Sequence, residues 1–166
     1  AGLRAHYETV ADGVDRPVLI YSVPSRTGVT VSIDTYVALS QHPNVVGVKE
    51  ANTDLGSIGA LIDRCGDSLD IYAGNDDLTV PVLALGGAGV ISVVSNLVPA
   101  AVYDVCRLWS EGKPRLSAAR AAKLSDLIRV LFTDTNPVPV KSALAMMGRC
   151  REEFRLPLVP PCDALR

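Results

Sequence analysis

The segment "NVVGVKEA", residues 44–51, is a short apolar run that ends in a lysine followed directly by a glutamate. Residues 45–48 have the composition of a buried β-strand, because small and β-branched residues pack well in a covered sheet. Lysine is rarely buried in full unless another group pairs with it or uses it. The position of Lys49 at the end of such a strand therefore needs a structural or a chemical explanation.

Three similar runs flank this one along the chain: "RPVLIYSV" at 16–23, "SLDIYAG" at 68–74 and "AGVISVVSN" at 88–96. They are apolar nearly throughout rather than alternating, which is typical of strands covered on both faces. A helical pattern follows each run. Strand–helix units repeated in this way predict parallel strands joined by right-handed crossovers.

The intervening segments carry recognisable helix signals. Ser32 is the predicted N-cap of a helix that must end near Pro43. Asp54 is the predicted N-cap of the next one, whose apolar face is formed by Ile58, Leu61, Ile62 and Cys65. Further helices are predicted at residues 78–85 and after residue 98. These helices supply the crossovers that parallel strands require.

Two architectures fit this pattern: an open doubly wound sheet, or part of a (β/α)8 barrel. The segment "GGAG", residues 86–89, precedes its strand, so it predicts a helix end and a tight turn rather than a phosphate-binding loop. Polar residues follow the strands instead, with Arg26, Lys49 and Asn75 among them. Reactive side chains at successive strand ends are typical of the catalytic face of a barrel.

The fold class predicted is therefore α/β, the C-terminal half of a (β/α)8 barrel in residues 1–112, followed by a helical region in 113–166. In the second region, Leu124, Leu127, Ile128 and Leu131 share one helix face, and Pro139 opens another helix. A complete barrel takes about 250 residues. Either the missing half lies upstream of this chain, or two copies associate.

Composition excludes several other classes of protein. Hydrophobic residues make up 48% of the chain and the net charge is −2, which argues against a nucleic-acid or anionic-membrane partner. No apolar run reaches the about 18 residues of a membrane span. The four cysteines form no C-x-x-C pair, which favours reduced thiols in a cytoplasmic protein, and with two histidines a zinc site is not expected.

Lys49 is the leading catalytic candidate. At a barrel strand end, desolvation disfavours the ammonium form and lowers the pKa of the amine. A free amine attacks a ketone and forms an imine, which serves as an electron sink. Taken alone, Lys49 would more readily be a lysine whose stem lies on apolar surface while its amine reaches solvent. Tyr21 could pass protons to such an imine, and Arg26 could bind a carboxylate. Taken alone, Tyr21 would more readily be an ordinary strand tyrosine, and Arg26 a solvated arginine in a turn.

Taken together, "YSVPSRTG", "GVKEA", "AGND", "GGAGVISVVSN" and "NPVPVK" occur in an order that resembles the dihydrodipicolinate synthase family of pyruvate-dependent class I aldolases. The resemblance runs over the whole chain. It implies a lyase with a (β/α)8 barrel and a C-terminal helical domain. The implied reaction is the condensation of pyruvate with L-aspartate 4-semialdehyde in lysine and diaminopimelate biosynthesis, in a cytoplasmic homotetramer without metal or organic cofactor.

The resemblance also implies residue roles. Lys49 matches the lysine that forms the Schiff base with pyruvate, Tyr21 the proton-relay tyrosine, and Arg26 the arginine that binds the aldehyde's carboxylate. Ile91 falls where the backbone touches pyruvate, and the loop that lines the pocket contains Gly74 and Asn75. The family often has two acids where this chain has Gly74-Asn75-Asp76, which puts aldehyde contacts of that loop in doubt.

Two alternatives stay open. One is an aldolase or lyase for N-acetylneuraminate or another keto-deoxy sugar acid, with the same lysine and tyrosine but another acceptor. The other is a half-barrel without catalytic activity, because the family's hydroxyl partners of the tyrosine and its feedback site belong to the barrel half that this chain lacks. As a monomer, such a half-barrel is expected to be poorly stable, since two sheet edges are unpaired.

Overall fold

The computed structural model describes residues 1–162 and contains a sheet of four parallel strands. The strands are β1 (Val18–Ser22), β2 (Val45–Glu50), β3 (Asp70–Ala73) and β4 (Gly89–Val90). Each strand pairs only with its sequence neighbours, in the order β1-β2-β3-β4. A doubly wound sheet reverses its strand order at a switch point, whereas a barrel does not. The sequential order therefore confirms the predicted half-barrel.

Nine α-helices connect and follow these strands within the described residues. They are α1 (Gly2–Asp12), α2 (Pro24–Thr27), α3 (Ile33–Leu39), α4 (Leu55–Cys65), α5 (Thr79–Ala84), α6 (Pro99–Ser110), α7 (Pro114–Ala122), α8 (Ser125–Leu131) and α9 (Val138–Met146). Short 3-10 turns lie at Asp76–Leu78 and Val94–Asn96. In residues 1–162, the longest helix has 12 residues, and none is long and apolar enough to cross a membrane.

The predicted caps of the first two crossover helices are confirmed. The Ser32 hydroxyl accepts a hydrogen bond from the Thr35 N–H at 3.3 Å at the start of α3. The Asp54 carboxylate accepts one from the Gly56 N–H at 2.9 Å at the start of α4. These side chains satisfy donors that the first turn of a helix leaves without partners, so they define where each crossover begins.

The hydrophobic core of the sheet region lies on one face only. Ile20, Val48 and Ile71, one from each of three neighbouring strands, are buried together with residues of α3 and α4. On the opposite face, Leu19 is 45% exposed and Tyr21 is 48% exposed. The expectation of strands covered on both faces is therefore wrong for the described chain. In a barrel the inner face is covered by the other strands, and residues 1–162 contain four.

Some local elements differ from the sequence prediction. The turn expected at residues 24–28 is a single helical turn, α2, which ends at Gly28 with a φ of +67°. Helix α1 was not predicted, and the fourth strand is only two residues long. The glycine segment after α5 is a turn as predicted, with Gly86 at a φ of +102°. A short turn of this kind brings β4 beside β3 without a phosphate-binding loop.

The chain divides into two compact units, residues 1–91 and the part from Ser92 onward. The first contains the whole sheet. In the second, α6 packs against α7, with the Ser117 hydroxyl donating to the Val105 carbonyl at 2.7 Å. Asp104 accepts from both Arg107 and Arg120 in the same unit. The boundary at residue 112, where the strand–helix repeats are predicted to end and the helical region to begin, stays a prediction.

Candidate active site

Three side chains form a row across the sheet. Tyr21 of β1 is the register partner of Lys49 of β2, and Lys49 is the register partner of Tyr72 of β3. Register partners on parallel strands point to the same face, so all three belong to the face opposite the core that packs on α3 and α4. The sheet thus brings together the predicted lysine and the predicted tyrosine, near the carboxyl ends of their strands.

The amine of Lys49 lies over the ring of Tyr21, with its Nζ 4.2 Å from the ring centroid. An ammonium at this distance is attracted by the negative face of the ring. Burial lowers the pKa of the Lys49 amine, and the nearby Asp76 carboxylate opposes part of that shift. The free-amine form that attacks a carbonyl is therefore more populated near neutral pH than in an ordinary lysine.

The residues after β3 lie directly over the residue that follows Glu50. The Gly74 N–H donates to the Glu50 carbonyl at 2.7 Å, and the Asn75 side-chain amide donates to the Ala51 carbonyl at 3.2 Å. A Cβ at Gly74 would come 2.8 Å from the Cβ of Ala51 and 2.9 Å from its Cα. Only glycine permits this approach, which sets Asn75 next to the segment that carries Lys49.

The remaining predicted residues occupy the ends of the flanking strands. Ile91 follows β4, and its N–H donates to the Ala73 carbonyl at 3.0 Å, so its backbone continues the ladder at the same edge of the sheet. Arg26 lies in α2, four residues beyond the end of β1, and its side chain is exposed. Arg26 therefore belongs to the segment above the strand ends rather than to the row across the sheet.

Glu50 points to the opposite face from Lys49, as expected of the next residue on a strand. It is 6% exposed, and its carboxylate accepts the Tyr36 hydroxyl at 2.9 Å and the Asn52 N–H at 2.8 Å. Burial raises the pKa of Tyr36 well above its ordinary value, with the Glu50 carboxylate adding to the effect. Tyr36 therefore stays protonated and remains a hydrogen-bond donor.

Two residues near Lys49 were missed by the sequence reasoning. Tyr72 flanks Lys49 on the side away from Tyr21, and burial together with the Asp70 carboxylate raises the pKa of its phenol. Asp76 is buried and acts on the charge of Lys49. Counting back from the strand end could have found Tyr72, because Tyr21 and Lys49 both lie one residue before the last residue of their strands, as Tyr72 does.

Nothing in the described part of the chain resembles a metal centre. No group of three His, Cys, Asp or Glu side chains in residues 1–162 is placed to hold a metal ion. The chemistry that the arrangement can support rests on the Lys49 amine and the phenols beside it. Because that amine lies over the Tyr21 ring near the carboxyl ends of the strands, it can act as a nucleophile with a phenol beside it.

The topology and this site define the class: half of a (β/α)8 barrel with a lysine of lowered pKa at the carboxyl end of its second strand. Comparison with known proteins then identifies the family. The family model described as the dihydrodipicolinate synthetase family matches residues 1–164. The chain belongs to this family, which confirms the resemblance inferred from the motifs.

Relatives agree with that assignment. The 4-hydroxy-tetrahydrodipicolinate synthase of Geotalea uraniireducens is 42% identical over 163 residues, which are 98% of this chain and 56% of that protein. The enzyme of the same name from Aquifex aeolicus is 45% identical over 158 residues, 95% of this chain and 54% of that protein. The chain therefore spans about half the length of these relatives.

Solved structures give the same result for the fold. The crystal structure of dihydrodipicolinate synthase from Aquifex aeolicus matches with a TM-score of 0.96 at 42% identity, over 99% of this chain and 56% of that one. The dihydrodipicolinate synthase from Thermotoga maritima matches with a TM-score of 0.95 at 39% identity, over 99% and 57%. The described fold is thus that of a dihydrodipicolinate synthase over about half of its length.

Proposed function

We propose that this chain supplies the imine-forming half of a lyase that condenses pyruvate with L-aspartate 4-semialdehyde, a step of lysine and diaminopimelate biosynthesis. The observation that carries the proposal is the Lys49 amine, which lies 4.2 Å from the Tyr21 ring centroid and has a lowered pKa. The names of the relatives specify the product, 4-hydroxy-tetrahydrodipicolinate. Neither a metal nor an organic cofactor is required, because the lysine imine is itself the electron sink.

The chemistry begins with attack of the free Lys49 amine on the ketone carbon of pyruvate, and loss of water leaves an imine. Loss of a methyl proton converts the imine to an enamine. The enamine carbon attacks the aldehyde carbon of the second substrate and forms the new carbon–carbon bond. The substrate's own amine then displaces Lys49 from the imine, which closes the ring and regenerates the lysine.

The other residues have roles around that lysine. Tyr21 moves protons to and from the intermediates, since its side chain is adjacent to the reacting amine. Arg26 binds the carboxylate of the aldehyde substrate through its planar guanidinium. The backbone of Ile91 contacts pyruvate, and Gly74 and Asn75 line the pocket. Their placement at one edge of the sheet supports these assignments.

Borohydride trapping tests the first step. Pyruvate and sodium borohydride are added to the protein, and peptide mapping by mass spectrometry is expected to find a reduced pyruvate adduct on Lys49. Lys49→Ala should abolish the adduct, while Lys123→Ala, which removes an exposed lysine at the end of α7, should leave it unchanged. Equal labelling of Lys49→Ala would refute the imine.

The acceptor is tested separately. Condensation of pyruvate with aspartate semialdehyde is compared with cleavage of N-acetylneuraminate and keto-deoxy sugar acids by the same preparation. Turnover of the semialdehyde alone supports the proposal. Trapping at Lys49 combined with cleavage of a sugar acid would assign the chain to another pyruvate-forming lyase.

The wider context follows from the same assignment. We place the enzyme in the cytoplasm as a homo-oligomer, specifically a homotetramer. Its strand–helix repeats end at residue 112, and a helical region follows in 113–166. Exposed apolar side chains on the inner face, such as Leu19, support association with further strands. Sedimentation of the protein would give the assembly state directly, and a stable monomer would contradict this part of the proposal.

A further inference from the structure

A buried polar pair lies on the back face of the sheet, directly behind the lysine. The Tyr36 hydroxyl of α3 donates to Glu50 Oε2 at 2.9 Å, and the Asn52 N–H donates to Glu50 Oε1 at 2.8 Å. Tyr36 is 1% exposed and Glu50 is 6% exposed. Both carboxylate oxygens thus have a hydrogen-bond donor, one from a helix and one from the chain just after the strand.

This pair acts where the backbone ladder of the sheet ends. Glu50 is the last residue of β2, and beyond it the ladder continues only through the bonds of Ala51 and Gly74. α3 is itself held in the core by Leu39, which is 0% exposed. The Tyr36–Glu50 bond therefore connects the end of β2 to a helix that is packed into the core.

Stability alone is a poor explanation for a buried carboxylate at this position. Burying a charge costs free energy that hydrogen bonds repay only in part, and the best-attested use of such groups is to specify one geometry. In the described residues, Glu50 forms no ion pair with a lysine or an arginine. Its partners are directional hydrogen-bond donors, which hold an orientation rather than merely neutralise a charge.

We propose that Glu50 and Tyr36 are positioning residues for Lys49: their hydrogen bond holds the end of β2 from behind, so that the lysine amine stays over the Tyr21 ring. The proposal rests on the proposed function, in which that amine must meet pyruvate at a defined place. Lys49 and Glu50 are consecutive, so a rotation of the backbone that frees the carboxylate also moves the amine. The groups that face Lys49 are Tyr21 of β1, Tyr72 of β3 and Asp76 beyond β3.

The test compares Tyr36→Phe with Ser32→Ala. Tyr36→Phe removes only the hydroxyl, whereas Ser32→Ala removes the N-cap of the same helix and leaves the Glu50 bond intact. Both substitutions act on α3, but only Tyr36→Phe removes the hydroxyl that donates to Glu50, so a difference between them reports on that hydroxyl. A cavity of about 180 Å³ borders Tyr36, Glu50 and Asn52, so water can reach a carboxylate that has lost its donor.

The first measurement is the rate of borohydride-trapped imine formation at saturating pyruvate, at a temperature where all variants are folded. Tyr36→Phe is expected to slow it about 10-fold, less than the about 100-fold that a 1 Å misplacement can cost. Ser32→Ala is expected to leave it unchanged. Glu50→Gln should retain more of the rate than Glu50→Ala, because the amide oxygen can still accept from the Asn52 N–H while the amide NH2 donates to the Tyr36 hydroxyl oxygen. A rate for Tyr36→Phe equal to that of Ser32→Ala would overturn the proposal.

The second measurement needs no pyruvate. Trace labelling with acetic anhydride over a range of pH, read by peptide mass, gives the pKa and reactivity of the Lys49 amine alone. In Tyr36→Phe the pKa is expected to rise toward the ordinary lysine value, because a displaced amine is better hydrated; in Ser32→Ala it should stay as in the parent. An unchanged profile in Tyr36→Phe overturns the positioning role. If the parent chain forms no imine, the proposed function fails, and this second measurement still decides the role of the pair.

Discussion

The two faces of the sheet are built from the same strands but have opposite properties. On the back face, Ile20, Val48 and Ile71 are buried against helices α3 and α4. On the front face, the residues that follow them are Tyr21, Lys49 and Tyr72, of which Tyr21 is 48% exposed. Because side chains alternate along a strand, each of these candidate site residues is next to a core residue. The back face therefore sets the stability and position of groups that the front face leaves accessible.

The largest difference between the faces should appear in activity. Lys49→Ala on the front face is expected to abolish imine formation with pyruvate, because it removes the amine that lies over the Tyr21 ring. Its effect on the free energy of unfolding should be small, since Lys49 is only partly buried. Trapping and urea denaturation measure the two quantities. A large loss of stability would show that the two faces are not separable.

Substitutions on the back face should change the free energy of unfolding rather than imine formation. Ile71→Ala on the back face is expected to lower the free energy of unfolding by about 3 kcal/mol, the usual cost of truncating a buried isoleucine. Leu19→Ala on the front face is the control; because Leu19 is 45% exposed in the single chain, its truncation should lower the free energy of unfolding of the monomer by less than about 1 kcal/mol. Urea denaturation checks both variants, and equal losses would mean that the front face is covered in solution.

A substitution at Gly74 probes the carboxyl ends of the strands, where the loop after β3 contacts the segment that follows Lys49. Gly74→Ala places a Cβ 2.9 Å from the Ala51 backbone nitrogen, so the loop after β3 must move away from the lysine-bearing segment. We expect a cost of about 2 kcal/mol, typical of overpacking, with slower imine formation at Lys49. The matched control is Gly59→Ala in α4, where the nearest atom is 3.6 Å away and a helical alanine should stabilise by about 0.5 kcal/mol. Equal free energies of unfolding for Gly74→Ala and Gly59→Ala would contradict the close approach of Gly74 to Ala51.

The smallest expected effect is a shift in pH dependence. Imine formation requires the free amine, and burial lowers the pKa of Lys49, so the rate should rise with pH through a midpoint below the ordinary lysine value of about 10.4. Asp76→Asn removes the carboxylate that opposes this shift, and should move the midpoint lower still. The initial rate of trapping over a range of pH measures both. A midpoint at or above that of a lysine in a short peptide would show that Lys49 is fully hydrated.

Much of the fold could be predicted because it depends on local pattern. The apolar runs, the caps at Ser32 and Asp54, and the glycine turn after α5 were all recognisable along the chain. The pairing of Lys49 with Tyr21 was also within reach, since neighbouring parallel strands align their ends. Short or isolated elements were harder. Helix α1 was not predicted although its residues form an amphipathic pattern, and β4 forms only two residues of ladder.

The candidate site was less accessible to sequence reasoning where it depends on distant contacts. The alternation of Lys49 and Glu50 predicted that the carboxylate points away from the amine, and the structure agrees. No pattern indicated that Tyr36, 14 residues earlier, would meet it. The relation of Tyr72 and Asp76 to Lys49 was also missed: the register of β3 against β2 places Tyr72 beside Lys49, and Asp76 acts on the charge of Lys49 from the turn after β3.

The chain's own pattern determined the order of strands and helices and the family, and it singled out Lys49 as the candidate nucleophile. Periodicity, caps and motifs are local, so they can be recognised without coordinates. The environment of that nucleophile does not. The lowered pKa of Lys49, its place over the Tyr21 ring and the support of Glu50 by Tyr36 arise only when three strands and a helix pack together. Burial and short-range electrostatics depend on distances in space, which sequence separation does not reveal.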